Sequence, residues 1–188
     1  HMKKIVGFQR YPISNHFNWM LNNQPDGHKI FNSLNDDDFH KHYENFLDNI
    51  NHELVNYCHK NSIDFLSTAF DKQSLDFLIK DIGLKRLKIS SGEVNNGPLL
   101  LQHALSGCDL ILSTGMSTLE EVEDALGILA FGLINSYNSN INPSRVAFQD
   151  AFSSKKGKQM LKDKVSLLHC TTEYPAPINE INLNAMLT

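Results

Sequence analysis

The sequence is poor in cysteine, and the three that it has, Cys58, Cys108 and Cys170, include no pair with CxxC spacing. No secretory signal pattern opens the chain. An odd number of cysteines without such a leader is typical of a reducing compartment, because disulfide-stabilised small domains are mostly secreted. We therefore predict a cytoplasmic protein.

Long apolar runs and an excess of positive charge are also missing. No run approaches the roughly 20 residues that a membrane helix needs, and the formal net charge of the 188 residues is -4. We expect neither a membrane nor a nucleic acid as a partner. The sequence also has no glycine-rich phosphate loop, no HExxH and no GxSxG, so nucleotide hydrolysis, zinc proteolysis and serine hydrolysis have no motif support.

The hydrophobic residues that are present alternate between strand and helix patterns. Each of the first four predicted strands is followed by a predicted helix, and glycines close two of these helices, Gly83 and Gly107. The connection from about Asn135 to Lys164 is rich in asparagine and lysine and carries no functional signal. The predicted strands are 4–9, 63–68, 86–91, 109–114 and 165–170, and the predicted helices are about 38–58, 71–79, 98–106 and 118–133.

Repeated strand–helix units with apolar strands predict an α/β fold with a parallel sheet, either an open doubly wound sheet or a closed (β/α) barrel. The strand ends favour the barrel. Each strand ends in hydroxyl-bearing or small polar residues, and a barrel gathers its site from many successive strand ends at one rim, whereas a doubly wound sheet uses one switch point.

Lys88 is the most informative residue of the third predicted strand. Alternation puts Lys88 and Ser90 on one face and Leu87 and Ile89 on the other. A charged side chain inside a strand is costly unless it meets an anion. Together with nearby strand-end hydroxyls, Lys88 predicts a site for a phosphate or a carboxylate with a phosphate; the hydroxyls belong to Thr68, Ser91, Ser113 and Thr172.

Two groups of residues are interpreted as structural. Ser117 has capping-box spacing to Glu120, so we predict that it caps the following helix. The histidines at 40, 42, 52 and 59 fall on a helix whose polar face we expect to meet solvent, and His169 falls inside a strand, where a buried imidazole is expected. No histidine pair therefore predicts a metal site within the chain.

Four blocks at successive strand ends carry a resemblance to a known family. The chain resembles the sialic acid synthases (N-acetylneuraminate synthases), a family that includes the legionaminate and pseudaminate synthases. Gly7-Phe8-Gln9 is a weaker fifth block, similar to the family's Lys-Phe-Gln, with Gly7 in place of the lysine. The four blocks are Ser67-Thr68-Ala69-Phe70-Asp71, Leu87 to Asn96 (LKISSGEVNN), Ile111 to Met116 (ILSTGM) and Leu167 to Pro175 (LLHCTTEYP).

The resemblance implies a (β/α)8 TIM-type barrel that condenses phosphoenolpyruvate with an open-chain N-acetylmannosamine-type sugar or another N-acylated aldose. Cleavage of a C–O bond releases phosphate and leaves a nine-carbon 2-keto acid. The resemblance further implies a divalent metal, manganese or magnesium, that polarises the sugar aldehyde. It also implies a homodimer in the full-length protein.

Residue roles follow from matching positions. Lys88 and Glu93 are the implied catalytic residues. The residues implied to hold phosphoenolpyruvate are Thr68, Lys88, Ser91, Ser113 and Thr172, the last where many relatives have asparagine or serine. Those implied to face the sugar are Gln9, Glu93 and Tyr174.

The sequence also departs from the family pattern. A full barrel needs about 250 residues, so we expect residues 1–188 to form an incomplete barrel domain that lacks its first and last strand–helix units. We expect residues 1–188 to lack the family's antifreeze-like C-terminal domain, and we expect the metal-binding histidines beyond Thr188. Two alternatives stay open: another phosphoenolpyruvate aldol-type synthase, making an eight- or seven-carbon keto acid, and a non-catalytic fragment that binds an anion or a sugar.

Overall fold

A computed structural model of the chain describes residues 5–10, 49, 51–136, 140, 142–173 and 175–187. The chain divides into two compact units, His1–Gly83 and Leu84–Thr188. In each unit, parallel strands alternate with helices along the chain. No helix among these residues is both long and apolar enough to cross a membrane.

The described residues of the first unit form two parallel strands and two helices. The strands pair in register, so that Ile5 is aligned with Asp64 and Gln9 with Thr68. Asp71 caps the second helix by accepting a hydrogen bond from the Ser74 backbone N–H at 2.8 Å, which satisfies one of the N–H groups that a helix start leaves unpaired. The elements are β1 (Ile5–Arg10), α1 (51–60), β2 (Asp64–Ala69) and α2 (Lys72–Lys80).

The second unit is built on three parallel strands with β4 in the middle. Leu87 and Ile89 of β3 and Leu110 and Leu112 of β4 are almost completely buried, which confirms the alternation predicted for the Lys88 strand. Gly107 adopts a φ of 69°, a conformation that suits the end of the preceding helix. The strands are β3 (Arg86–Ile89), β4 (Asp109–Ser113) and β5 (Val165–Leu168).

Helices follow the strands of this unit, and two of them pack at short range. Gly132 lies so close to Ala104 that a Cβ at position 132 would overlap the alanine Cβ. The connection from Asn135 to Lys164, which the sequence left without a functional interpretation, contains two of the four helices. They are α3 (Gly97–Leu105), α4 (Leu119–Ile134), α5 (Arg145–Ser153) and α6 (Lys155–Lys164), with short 3-10 turns at Ser91–Glu93, Ile178–Glu180 and Leu183–Leu187.

The predicted position of His169 inside the last strand, with a buried imidazole, was wrong. Leu167 and Leu168 are 46% and 41% exposed, and β5 ends at Leu168, so His169 lies after the strand and is exposed. Within the described residues β5 pairs with β4 on one edge only. An apolar pattern predicts which side chains can be buried, but it does not supply the element that covers them. His52 and His59 are exposed as predicted, whereas His40 and His42 lie outside the described residues.

The predicted cap of α4 was also wrong by one residue. Thr118, not Ser117, caps the helix: its side chain accepts from the Glu121 N–H, and the Glu121 carboxylate accepts from the Thr118 N–H at 2.8 Å. Ser117 instead closes a turn by donating its N–H to the Thr114 carbonyl. The Glu121 carboxylate is stabilised mainly by the Thr118 backbone N–H, then by the Asn95 and Thr118 side chains, so its pKa lies below the ordinary value.

Replacing the cap should therefore destabilise the protein, whereas replacing its neighbour should not. We expect Thr118→Ala to lower the free energy of unfolding by about 1 kcal/mol, the typical cost of losing an N-cap side chain. Ser117→Ala is the matched control and should change it by less than about 0.5 kcal/mol. Urea unfolding of the two variants measures both values, and equal losses would contradict the assignment of the cap to Thr118.

Candidate active site

The candidate site of the second unit begins with Lys88 in β3. Its ammonium donates to the Ser113 hydroxyl at 2.6 Å and to the Ile89 carbonyl at 2.9 Å. Lys88 is aligned with Ile111 on β4, and Ser113 lies two residues further along that strand, so both side chains are on the same face of the sheet. The third and fourth predicted strand ends are therefore joined by a direct hydrogen bond.

The electrostatic state of Lys88 favours an anion. Burial lowers the pKa of its ammonium below the ordinary value, and the nearby Cys170 thiol raises it by a smaller amount. A partly desolvated cation has lost some of its water without gaining a counter-charge from these neutral hydroxyl and carbonyl groups. Binding an anion here would stabilise the charged form.

Two serine hydroxyls at these strand ends accept hydrogen bonds from N–H donors. Ser113 Oγ accepts from Lys88, and Ser91 Oγ accepts from the Gly115 N–H at 3.1 Å. A serine hydroxyl has one proton to donate, and neither of these bonds uses it. Each serine can therefore donate to a ligand oxygen while its own oxygen is held in place.

Gly115 is the point where the loops after β3, β4 and β5 meet. A Cβ added there would lie 3.1 Å from Ser91 Oγ, 3.4 Å from the Thr171 carbonyl oxygen and 3.5 Å from the Cys170 Cβ. A larger residue would force the Ser91 hydroxyl to shift by a few tenths of an ångström, so this close approach favours glycine. The next residue, Met116, adopts a φ of 67° and is 74% exposed.

Neither Gly115 nor Cys170 was singled out from the sequence. Cys170 follows β5 and contacts the Leu168 carbonyl through its thiol at 3.3 Å, and it lies close enough to Lys88 to affect its pKa. Both residues stand inside the strand-end blocks. Their position next to the hydroxyl-bearing residues of these blocks was the available signal, but nothing in the spacing distinguishes them from structural residues.

Glu93 lies at the end of the 3-10 turn that follows β3. Its carboxylate accepts a hydrogen bond from the Asn96 amide at 2.7 Å. His103 lies in α3, the helix that follows this turn, and is fully buried. Its Nδ1 lies 2.9 Å from the Leu99 carbonyl oxygen. Burial lowers the pKa of His103, and the Leu99 carbonyl and the Glu93 carboxylate raise it in part.

The remaining candidate residues are distributed as follows. Thr68 is buried at the carboxyl end of β2 in the first unit, and the backbone of Gln9 is aligned with it. The Gln9 side chain and Tyr174 lie outside the described residues. Thr172 is exposed in the loop after β5. Lys88, Ser91 and Ser113 are thus brought to the ends of β3 and β4, and the predicted roles of the other residues stay predictions.

A divalent metal that is held by side chains alone needs three or more suitable ligands at one site. Across the described ranges, no group of three histidine, cysteine, aspartate or glutamate side chains is close enough to hold one. These residues alone therefore do not make up the metal site that the resemblance implies. We therefore assign no metal ligand among them, and no step below is derived through a metal.

Comparison with known proteins adds a family match and several relatives. A family model described as the NeuB family matches residues 4–188. N,N'-diacetyllegionaminic acid synthase of Campylobacter jejuni is 42% identical over 134 residues, which cover 71% of this chain and 32% of that protein. The enzyme of the same name from Legionella pneumophila is 41% identical over 126 residues, which cover 67% of this chain and 28% of that protein. The chain therefore spans about a third or less of the length of these relatives.

A solved structure shows the fold. The crystal structure of N-acetylneuraminic acid (sialic acid) synthetase from Leptospira borgpetersenii, in complex with citrate, superposes with a TM-score of 0.58 at 24% identity. The match covers 98% of this chain and 49% of that chain. It confirms the predicted (β/α) barrel class, to which the described residues contribute five strands, β1 to β5.

Proposed function

Because the chain belongs to the NeuB family, we propose that it is part of a nonulosonate synthase, which condenses phosphoenolpyruvate with an N-acetylmannosamine-type sugar and releases phosphate. The observation that carries the proposal is the bond from the desolvated Lys88 ammonium to Ser113 at the ends of two parallel strands. The two curated relatives described above are named as synthases of N,N'-diacetyllegionaminic acid, which supports a product of this class.

The phosphoenolpyruvate site is proposed around Lys88. Its ammonium neutralises part of the negative charge of the ligand, and Ser91 and Ser113 donate their hydroxyl protons to ligand oxygens. The hydrogen bonds from Gly115 and Lys88 hold both serine oxygens in place before the ligand arrives, so little reorganisation is needed on binding. Thr68 and Thr172 keep the phosphoenolpyruvate-binding roles that the resemblance implies.

The sugar is proposed to meet Glu93, with Gln9 and Tyr174 in the roles that the resemblance implies. In the reaction, C3 of phosphoenolpyruvate forms a bond to the aldehyde carbon of the sugar. Water adds at C2, and the bond from C2 to the bridging oxygen breaks, so that phosphate leaves with that oxygen. Lys88 is proposed to hold the charge of the phosphate group throughout, and the Glu93 carboxylate to bind and orient the sugar as it reacts.

The wider setting is also a proposal. We propose that residues 1–188 are one partial barrel domain of a longer cytoplasmic enzyme that acts as a homodimer. The divalent metal, manganese or magnesium, would supply Lewis-acid polarisation of the aldehyde, and its ligands are expected beyond Thr188.

Replacing Lys88 should remove most of the affinity for phosphoenolpyruvate. We expect Lys88→Ala to weaken binding by about 2 to 5 kcal/mol, the usual cost of removing one partner of a hydrogen-bonded charge pair. Isothermal titration calorimetry with phosphoenolpyruvate measures the change.

The matched control is Lys85→Ala. Lys85 precedes the same strand and is exposed, at the end opposite to Ser113, so its loss should change the dissociation constant less than about twofold, as expected for a distant surface charge. An unchanged constant in Lys88→Ala, or equal losses in both variants, would contradict the anion site.

The sugar that is accepted distinguishes the proposed synthase from other phosphoenolpyruvate aldol-type keto-acid synthases. The full-length protein that carries this sequence should release phosphate from phosphoenolpyruvate with N-acetylmannosamine or a diacetamido-trideoxyhexose, and not with arabinose 5-phosphate, because the Glu93 carboxylate at the proposed sugar site would repel a second phosphate. Phosphate release is followed with manganese or magnesium present. Turnover of arabinose 5-phosphate alone would favour an eight-carbon keto-acid synthase, and phosphoenolpyruvate binding without turnover of any sugar would favour a non-catalytic role.

A further inference from the structure

The Asn96 side chain uses both ends of its amide within four residues of Glu93. Its Oδ1 accepts from the Leu99 backbone N–H at 3.3 Å and thereby caps α3, while its Nδ2 donates to Glu93 Oε2 at 2.7 Å. The reversed amide would set an NH2 group against the Leu99 N–H and an oxygen against a carboxylate. Only one orientation of the amide therefore satisfies both neighbours.

The backbone around this amide is held from two sides. The Asn96 N–H donates to the Glu93 carbonyl at 3.0 Å, which closes the turn between them. The neighbouring Asn95 donates to Glu121 at 3.0 Å, and Glu121 is the residue that completes the cap of α4 with Thr118. The segment from Glu93 to Asn96 is thus tied to the first turns of two helices.

From this geometry we propose that Asn96 is a positioning residue, which fixes the Glu93 carboxylate in the orientation that meets the sugar. The inference rests on the proposed function, because it takes Glu93 to face the sugar. Asn96 engages one carboxylate oxygen, Oε2, and leaves the other to accept a sugar hydroxyl. The hydrogen bond from the Leu99 N–H orients the Asn96 amide, and the amide orients the carboxylate. The Glu93 carboxylate is thereby held in a fixed position relative to α3.

Two substitutions separate this role from the capping role. Serine and aspartate cap helices about as well as asparagine, so Asn96→Ser and Asn96→Asp keep the acceptor for the Leu99 N–H. Asn96→Ser replaces the amide donor to Glu93 with the proton of a shorter hydroxyl, whose oxygen is held at the helix cap, and Asn96→Asp replaces that donor with a second negative charge. Asn96→Ala removes cap and donor together and shows what a purely structural loss looks like.

We expect a graded effect on the sugar alone, measured in the full-length protein with manganese present. Asn96→Ser should raise the Michaelis constant for the sugar about fivefold, as expected for the loss of one exposed hydrogen bond to a charged group, and Asn96→Asp should raise it further. For both variants, the dissociation constant for phosphoenolpyruvate should change less than about twofold. The midpoint of urea unfolding should stay the same within experimental error, because the cap is kept.

Glu93→Gln distinguishes failure of this inference from failure of the proposed function. If Glu93→Gln leaves the sugar's Michaelis constant unchanged, Glu93 does not meet the sugar and the proposed function of that residue is wrong. If Glu93→Gln raises the constant but Asn96→Ser and Asn96→Asp do not, the positioning role is wrong while the proposed function stands. Equal losses of sugar affinity, phosphoenolpyruvate affinity and stability in Asn96→Ser would assign Asn96 to capping alone and contradict the inference.

Discussion

The candidate site depends on the hydrogen bonds of the partly desolvated Lys88 ammonium. Its neighbours at hydrogen-bond distance are a hydroxyl and a backbone carbonyl, which orient the cation without neutralising it. On the other face of the sheet, Leu87, Ile89 and Leu110 are almost completely buried. Burial of these apolar side chains offsets the free-energy cost of partly desolvating the charge. A stable apolar face on one side of β3 and β4 therefore allows an incompletely compensated charge on the other.

Close approach of the backbone is the second constraint. Gly115 brings three loops together at distances that a side chain would disturb, and its N–H fixes the Ser91 oxygen. Glu93 belongs to the same 3-10 turn as Ser91, and its carboxylate accepts a hydrogen bond from Asn96. The proposed anion site and the proposed sugar site are thus both organised by groups that need not touch a ligand themselves.

Local sequence patterns predicted the strands and helices well. They could not predict which distant segments contact one another. The alternation around Lys88 and the glycine at 107 were sufficient to place β3 and the end of α3, because each depends on neighbours in sequence. Ser117-Thr118-Leu119-Glu120-Glu121 contains two overlapping capping boxes, and only the path of the chain selects the second. The exposure of β5 and the meeting of Gly115 with Ser91 depend on which distant segments pack together, information that spacing within a strand does not carry.

The most direct test of the account is the pKa of Lys88 with and without phosphoenolpyruvate. It can be measured by NMR on the protein with labelled lysine side chains, with the Lys88 signal assigned from its loss in Lys88→Arg. The account predicts a pKa below the ordinary lysine value in the free protein and a clear rise at saturating phosphoenolpyruvate. A Lys88 pKa that does not move when phosphoenolpyruvate binds would contradict the claim that this ammonium holds the anion.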